Sequence, residues 1–198
     1  VLGVAEPVHA VAEVLGGVGV EVAVPAAHRT VRHVHVEAQA APLGAVEQVD
    51  VLIVGAGLSG IGVGCYLTRT LPQKSFVILE GRGASGGTWD LFRYPGVRSD
   101  SDVFTLSYPF RPWTGHNSIV DGADLRDYIE DTADHYGISE RITFNTRAVA
   151  ANWDSESGQW TVSCEQDGNR VVYTARFLVA ASGYYDYDNP HDPAFAGV

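Results

Sequence analysis

The sequence lacks methionine altogether, holds a single lysine, Lys74, among twelve arginines, and has only two cysteines, Cys65 and Cys164. Two cysteines in no ligand spacing argue against both a disulfide framework and a thiolate metal site. They read as ordinary buried thiols of a reducing, cytoplasmic compartment. No apolar run approaches the roughly 18 to 20 residues a membrane-spanning helix needs. The opening residues carry no positive, apolar and cleavage-site pattern of a secretory leader. Clustered cations are missing too, and the formal net charge is −11, which excludes a nucleic-acid surface. The plainer meaning of that charge is solubility.

What is present divides unevenly. Residues 1–46 contain no aromatic residue, lysine, serine, asparagine or isoleucine, while valine recurs throughout. "VGVEVAV" and "VRHVHVEA" alternate like strands without a hydrophobic set large enough to fold around. This stretch is expected to be a poorly ordered extension or the product of a misplaced start, and Val1 fits a GTG codon read literally or a fragment. His33 and His35 stand two apart with no carboxylate or cysteine nearby, so no metal site is assigned. Residues 47–198 read as the folded domain.

From Val49 onward pattern and propensity agree. "VDVLIV" is a continuous apolar strand of the kind buried on both faces of a parallel sheet. "LSGIGVGCYLTRTL" follows as a helix closed by Pro72, and "SFVILE" is a second buried strand. "DGADLRDYIEDTADHYG" puts Leu125, Tyr128, Ile129, Ala133 and Tyr136 on one helical face, with Asp121 and Asp124 near its positive end and Gly137 as its stop. "RITFNTRAVAANWD", "GQWTVSCEQ" and "RVVYTA" predict an antiparallel meander turning at Asp167-Gly168, and "RFLVAASG" a further buried strand. The order predicts an α/β, Rossmann-like domain with a parallel sheet and an inserted antiparallel β-meander.

Gly55-Ala56-Gly57-Leu58-Ser59-Gly60 fits GxGxxG between a strand and a helix. Gly55 allows the tight turn, Gly57 the approach of a pyrophosphate, and Gly60 close packing of the helix. The free amides of the helix start suit an anion. Glu80, twenty positions past Gly60, ends the second strand where a carboxylate accepts hydrogen bonds from ribose hydroxyls. It would repel a 2′-phosphate, despite the nearby Arg82. Strand, turn, helix, strand and acid all fall within about 30 residues, one βαβ unit. The residues therefore point to a dinucleotide with free ribose hydroxyls, and leave FAD and NAD both open.

The long loop "GRGASGGTWDLFRYPGVRSDSD", residues 81–102, replaces the quick crossover of a plain NAD domain. Gly86-Gly87 can lie against a flat ligand, and Trp89 offers an aromatic wall. The series Gly86-Gly87-Thr88-Trp89, Tyr94-Pro95-Gly96 and Asp100 resembles the signature of the flavin-dependent Baeyer–Villiger (class B) monooxygenases. The resemblance runs from about Val49 to Val198 and includes "FRPWTG" and "SGYYDYD".

The resemblance implies FAD and NADPH as cofactors and a ketone or heteroatom substrate with O2. Reduced flavin and oxygen would convert a ketone to an ester or lactone. Gly55, Gly57, Ser59 and Gly60 would hold the FAD pyrophosphate, Glu80 the adenosine ribose, and the backbone at Ala148 the adenine. Gly87, Thr88, Trp89, Asp90 and Leu91 would lie along the flavin half. Arg98, Ser99 and Asp100 would approach the nicotinamide cofactor, with Asp100 beside the flavin ring as the catalytic residue. Ala181-Ser182-Gly183 resembles the alanine-threonine-glycine turn of two-dinucleotide flavoproteins, with serine keeping the hydroxyl.

Departures from the family pattern are as clear. Phe195-Ala196-Gly197 looks like the first positions of the family's second fingerprint, but the later histidine and tryptophan do not follow, and His191 and Asp192 precede it. Beyond the loop of residues 81–102 no second GxGxxG occurs. The domain is thus expected to be truncated before the NADP domain, and these 198 residues to oxygenate nothing by themselves. An N- or S-oxidising flavin monooxygenase, and a flavin-binding module without turnover, are the alternative readings.

Overall fold

Strand β1 (Val46–Val54) is the spine of the structure, hydrogen-bonded on both sides. The computed structural model describes residues 46–185 together with Phe195 and Gly197. Residues 1–45, including His33 and His35, lie outside the described residues, as do His191, Asp192 and Ala196.

In chain order the elements are β1, α1 (Leu58–Thr70), β2 (Phe76–Leu79), α2 (Thr88–Leu91), α3 (Val103–Leu106) and α4 (Gly122–His135). A 3-10 turn (Ser139–Arg141), β3 (Ile142–Thr143), β4 (Thr146–Asp154), β5 (Gln159–Gln166) and β6 (Asn169–Ala180) follow. The six strands form one mixed sheet in the order β3-β2-β1-β6-β5-β4. The four strands β3, β2, β1 and β6 run parallel, and β5 and β4 turn back antiparallel. This is the α/β, Rossmann-like architecture the sequence predicts, with β-hairpins at one edge.

Alternation along β1 explains the two layers of core. Val51 and Ile53 face one side and pack with Ile61 and Cys65 of α1 and Ile129 and Ala133 of α4. Leu52 faces the other side, with Leu79, Val162, Cys164, Tyr173 and Ala175. Leu52, Ile53, Ile61 and Ile78 have no exposed surface, each stabilising the fold by about 1.5–3 kcal/mol. The α4 face is as its spacing dictates: Leu125, Tyr128, Ile129 and Ala133 are buried, and Gly137 leaves the helix at φ +66°.

Three local features differ from the sequence reading. "RVVYTA" and "RFLVA" are one twelve-residue strand, β6, because Val172–Ala175 pair with β5 on one side and β1 on the other. "RITFNTRAVAANWD" is two strands, broken where Asn145 adopts φ 52°. The loop from 81 to 121 contains two short helices, α2 and α3, whose four residues each are too few to show a 3.6-residue period. The turn at Asp167-Gly168 is as expected, both residues having positive φ, 47° and 81°.

Candidate functional site

The carboxyl ends of β1, β2 and β6 finish together, where open α/β sheets receive ligands. Gly55 N–H donates to the Leu79 carbonyl at 2.8 Å, and Ala181 N–H to the Val54 carbonyl at 2.8 Å. Gly55 turns at φ +107°, and a side chain there would overlap the Ala181 carbonyl oxygen. The Ala181-Ser182-Gly183 turn is thereby pressed against the first glycine. Gly60 serves the same turn from the other end, since a Cβ on it would overlap the Gly55 oxygen. Its smallness thus closes the turn on itself as well as packing the helix.

Helix α1 starts at this turn without protection. Gly57 occupies its N-cap, no side chain caps it, and no acid stands in its first turn, so its amides are free for an anion. Ser59 is exposed at that first turn. From behind, Tyr108 fixes the turn: its hydroxyl donates to the Leu58 carbonyl at 2.5 Å. A Cβ on Gly62 would come within 2.8 Å of the Tyr108 ring, so glycine there makes room for it. Burial pushes the Tyr108 phenol well above the ordinary tyrosine range, which keeps it a donor.

Glu80 stands just past β2 and is buried. Its Oε2 accepts from Ala56 N–H at 2.9 Å and its Oε1 from Arg82 N–H at 3.0 Å. Each carboxylate oxygen keeps a further lone pair for a ribose hydroxyl. Beside it lies a cleft of about 220 Å³ lined by Val54, Gly55, Gly81, Arg147, Ala148 and Ser182 among others. Ala148 sits where the β4–β5 register shifts, between Ala148 and Ala150, a bulge that re-aims the backbone at the cleft.

The second glycine pair closes over the first. Gly86 N–H donates to the Ala56 carbonyl at 2.9 Å, and Gly86 and Gly87 both have positive φ, 103° and 57°. Thr88, Trp89, Asp90 and Leu91 form α2 immediately after. Trp89 packs against both the sheet core and the Val103–Val120–Leu125 cluster, so the protein itself covers much of the indole. The Asp90 carboxylate is held by Arg82 and Arg93.

The main chain of Arg98 pairs with that of Asp121 as an antiparallel β-bridge, and Ser99 exchanges hydrogen bonds with Val120, ahead of α4. Asp100 is exposed and accepts from the Ser101 hydroxyl at 3.2 Å. Among the described residues no ion pair joins Arg98 to Asp100, and no hydrogen bond ties the triplet to Glu80 or the glycine turn. The structure therefore groups Gly55, Gly57, Gly60, Glu80, Gly87, Asp90 and Ala148 about the turn and its cleft, while Asp100 is exposed. Sequence reasoning missed Arg147, which flanks the cleft, and the engagement of Arg82. Arg82's place two residues after the acid was the available signal.

Two glycine turns, a bare helix start and a buried acid stand together at the mouth of the parallel sheet of an α/β, Rossmann-like domain. The family profile of the NAD(P)-binding Rossmann-like domain matches residues 53–121. The chain is homologous to the N-terminal part of the class B flavin monooxygenases, the Baeyer–Villiger group. It is 48% identical over 151 residues to the FAD-containing monooxygenase EthA of Mycobacterium tuberculosis, covering 76% of this chain and 31% of that protein. With EthA of Mycolicibacterium smegmatis the identity is 49% over 152 residues, 77% of this chain and 31% of that one. Among solved structures, an oxidized steroid monooxygenase bound to NADP aligns with a TM-score of 0.63 and 32% identity, over 76% of this chain and 28% of its own. A cyclohexanone-bound cyclohexanone monooxygenase aligns at 0.64 and 26% identity, over 72% and 28%. The chain thus spans about a third of the length of the curated relatives it matches. Among the described residues no helix is long and apolar enough to cross a membrane.

Proposed function

We propose that this chain binds FAD in an extended form and supplies the flavin-holding part of an NADPH-dependent monooxygenase. The observation that carries the reading is the stacking of Gly86-Gly87 on the Gly55–Gly60 turn, beside the uncapped start of α1 and the buried Glu80. A donor set of free amides suits a pyrophosphate, and a carboxylate with spare lone pairs suits an unphosphorylated ribose. Ala148 and Arg147 border the space left for adenine. The relatives named as FAD-containing monooxygenases favour flavin over a nicotinamide nucleotide at this turn.

Bound flavin would supply the oxygen-transferring chemistry. The chain's own residues would orient it: the α1 amides fix the pyrophosphate, Glu80 the ribose, and the Gly87–Leu91 turn the flavin half. Asp100, with Arg98 and Ser99, would form the rim toward the nicotinamide cofactor. A ketone, with O2, is the substrate class of the whole protein under this reading, giving an ester or lactone. Heteroatom oxidation is the alternative for the same fold. The 198 residues alone are proposed to bind without turnover.

The test is a titration of the purified chain with FAD, NAD and NADP, followed by flavin fluorescence and calorimetry. FAD uptake with rejection of NADP at this site is the expected result. Preferential uptake of NADP, with flavin refused, would overturn the reading.

A further inference from the structure

One side chain joins the second glycine turn to Glu80. Arg82 donates from Nη1 to Asp90 Oδ2 at 2.8 Å and from Nη2 to the Gly87 carbonyl at 3.0 Å. Its Nε lies 3.7 Å from Glu80 Oε1. The Glu80 and Asp90 carboxylates are each only 10% exposed, and the Arg82 side chain 34%. Two poorly hydrated carboxylates so near each other need a cation between them. Arg93 adds a second cation on the outer oxygen of Asp90.

The supports of the two acids differ. Glu80 keeps the amides of Ala56 and Arg82 whatever side chain stands at position 82. Gly87 and Asp90 are tied to it through the guanidinium. A guanidinium can serve acceptors on both segments at once because its donors form a rigid planar fork, whereas an ammonium is a point charge on a flexible stem.

We propose that Arg82 is a positioning residue that ties the ribose-binding acid to the Gly87–Asp90 turn and so fixes the spacing between the adenosine and flavin halves of the cofactor cleft. The inference rests on the FAD reading above. Under it, adenosine binding survives loss of the guanidinium while the flavin half loses its register.

The experiment uses the 198-residue chain and its Arg82→Gln, Arg82→Lys and Asp90→Asn variants, with the Arg82→Gln/Asp90→Asn double variant. Far-ultraviolet circular dichroism establishes folding. Each protein is titrated with FAD and, separately, with ADP, which carries adenosine and pyrophosphate but no flavin. Arg82→Gln should keep ADP affinity within about twofold and lose about tenfold in FAD affinity, a change of about 1.4 kcal/mol. The visible dichroism of the bound flavin should change with it, and Arg82→Lys should restore the thermal midpoint without restoring that signature. Asp90→Asn should reproduce the pattern. The double variant should lose no more than either single one, because both act through one link.

Unchanged FAD affinity and flavin dichroism in Arg82→Gln overturn the proposal. So do equal losses of FAD and ADP affinity, or additive losses in the double variant. Should Arg82→Gln fail to fold, Asp90→Asn decides by the same two affinities. A wild-type chain that binds ADP but refuses FAD removes the underlying reading, whereas normal FAD uptake with an indifferent Arg82 removes the coupling alone.

Discussion

Gly57 and Gly87 meet backbone to backbone: a Cβ built on Gly87 would lie 3.0 Å from the Gly57 Cα, and one on Gly57 would lie 3.4 Å from the Gly87 Cα. A side chain at Gly87 would press the two turns apart by a few tenths of an ångström, whereas a Cβ at Gly57 would make ordinary contact. The conformation at Gly87, φ 57° and ψ −125°, is one that side-chain-bearing residues avoid. Gly87→Ala therefore combines a backbone penalty with a steric one. It should destabilise the fold by about 2 kcal/mol, measured by urea unfolding, and weaken FAD uptake. Unaltered stability and affinity would show that the turns are not pressed together.

Glu80→Gln tests the buried acid. Glutamine keeps the shape but sets an NH2 where one oxygen faced an amide donor, so Ala56 N–H or Arg82 N–H loses its acceptor. Hydrogen bonds to a charged group contribute about 1.5–3 kcal/mol, and a loss of that size is expected in chemical denaturation. FAD affinity should fall by about tenfold or more, from the ribose contact alone. A variant as stable and as avid as the parent would remove Glu80 from the site.

Tyr128 should matter as much as any apolar core residue. Its hydroxyl accepts from Tyr108 N–H at 2.8 Å and donates to the Arg111 carbonyl at 2.6 Å, stitching α4 to the 107–111 loop. Tyr128→Phe strands two backbone groups in a poorly hydrated place, costing about 2–3 kcal/mol. Thermal unfolding measures it. Because Tyr108 in turn holds the Leu58 carbonyl, slackening at the start of α1 should also weaken FAD binding modestly.

Asp50 gives the fold an acid limit. The Ser75 N–H, then the Lys74 ammonium and the Ser75 hydroxyl, hold its carboxyl down to about 2. A carboxyl lowered in the folded state contributes stability that is complete above its unfolded value of about 4 and is lost as pH falls through the folded value. The difference in thermal midpoint between the parent and Asp50→Asn should therefore stay constant above about pH 5, shrink below about pH 4, and vanish near the folded value of about 2. A difference that persists at the lowest pH would assign the effect to packing.

The site was legible where its chemistry is local. Gly55, Gly57, Gly60 and Glu80 were readable because turn, helix start and strand end each need a particular residue type at a fixed spacing. Gly86-Gly87 was readable as a place where backbone approaches something closely. That the near neighbour is Gly57, on another turn, was not readable, since nothing within the loop specifies it. The same holds for Asp90, which stands among the flavin-side residues by resemblance yet spends its carboxylate on Arg82 and Arg93. Arg98 stands two residues from Asp100, yet among the described residues no ion pair joins them, and the main chain of Arg98 pairs with that of Asp121.

By itself the sequence determined the period of each long element, the identity of the turns and the acid that ends the second strand, because these follow from hydrogen bonds and sterics within a few residues. Only the tertiary structure decided that β6 is one strand shared between β1 and β5, that Trp89 is half claimed by the core, and that Arg82 spans Glu80, Gly87 and Asp90. Those relations depend on which distant segments the buried surface brings together, and burial is a property of the packed whole.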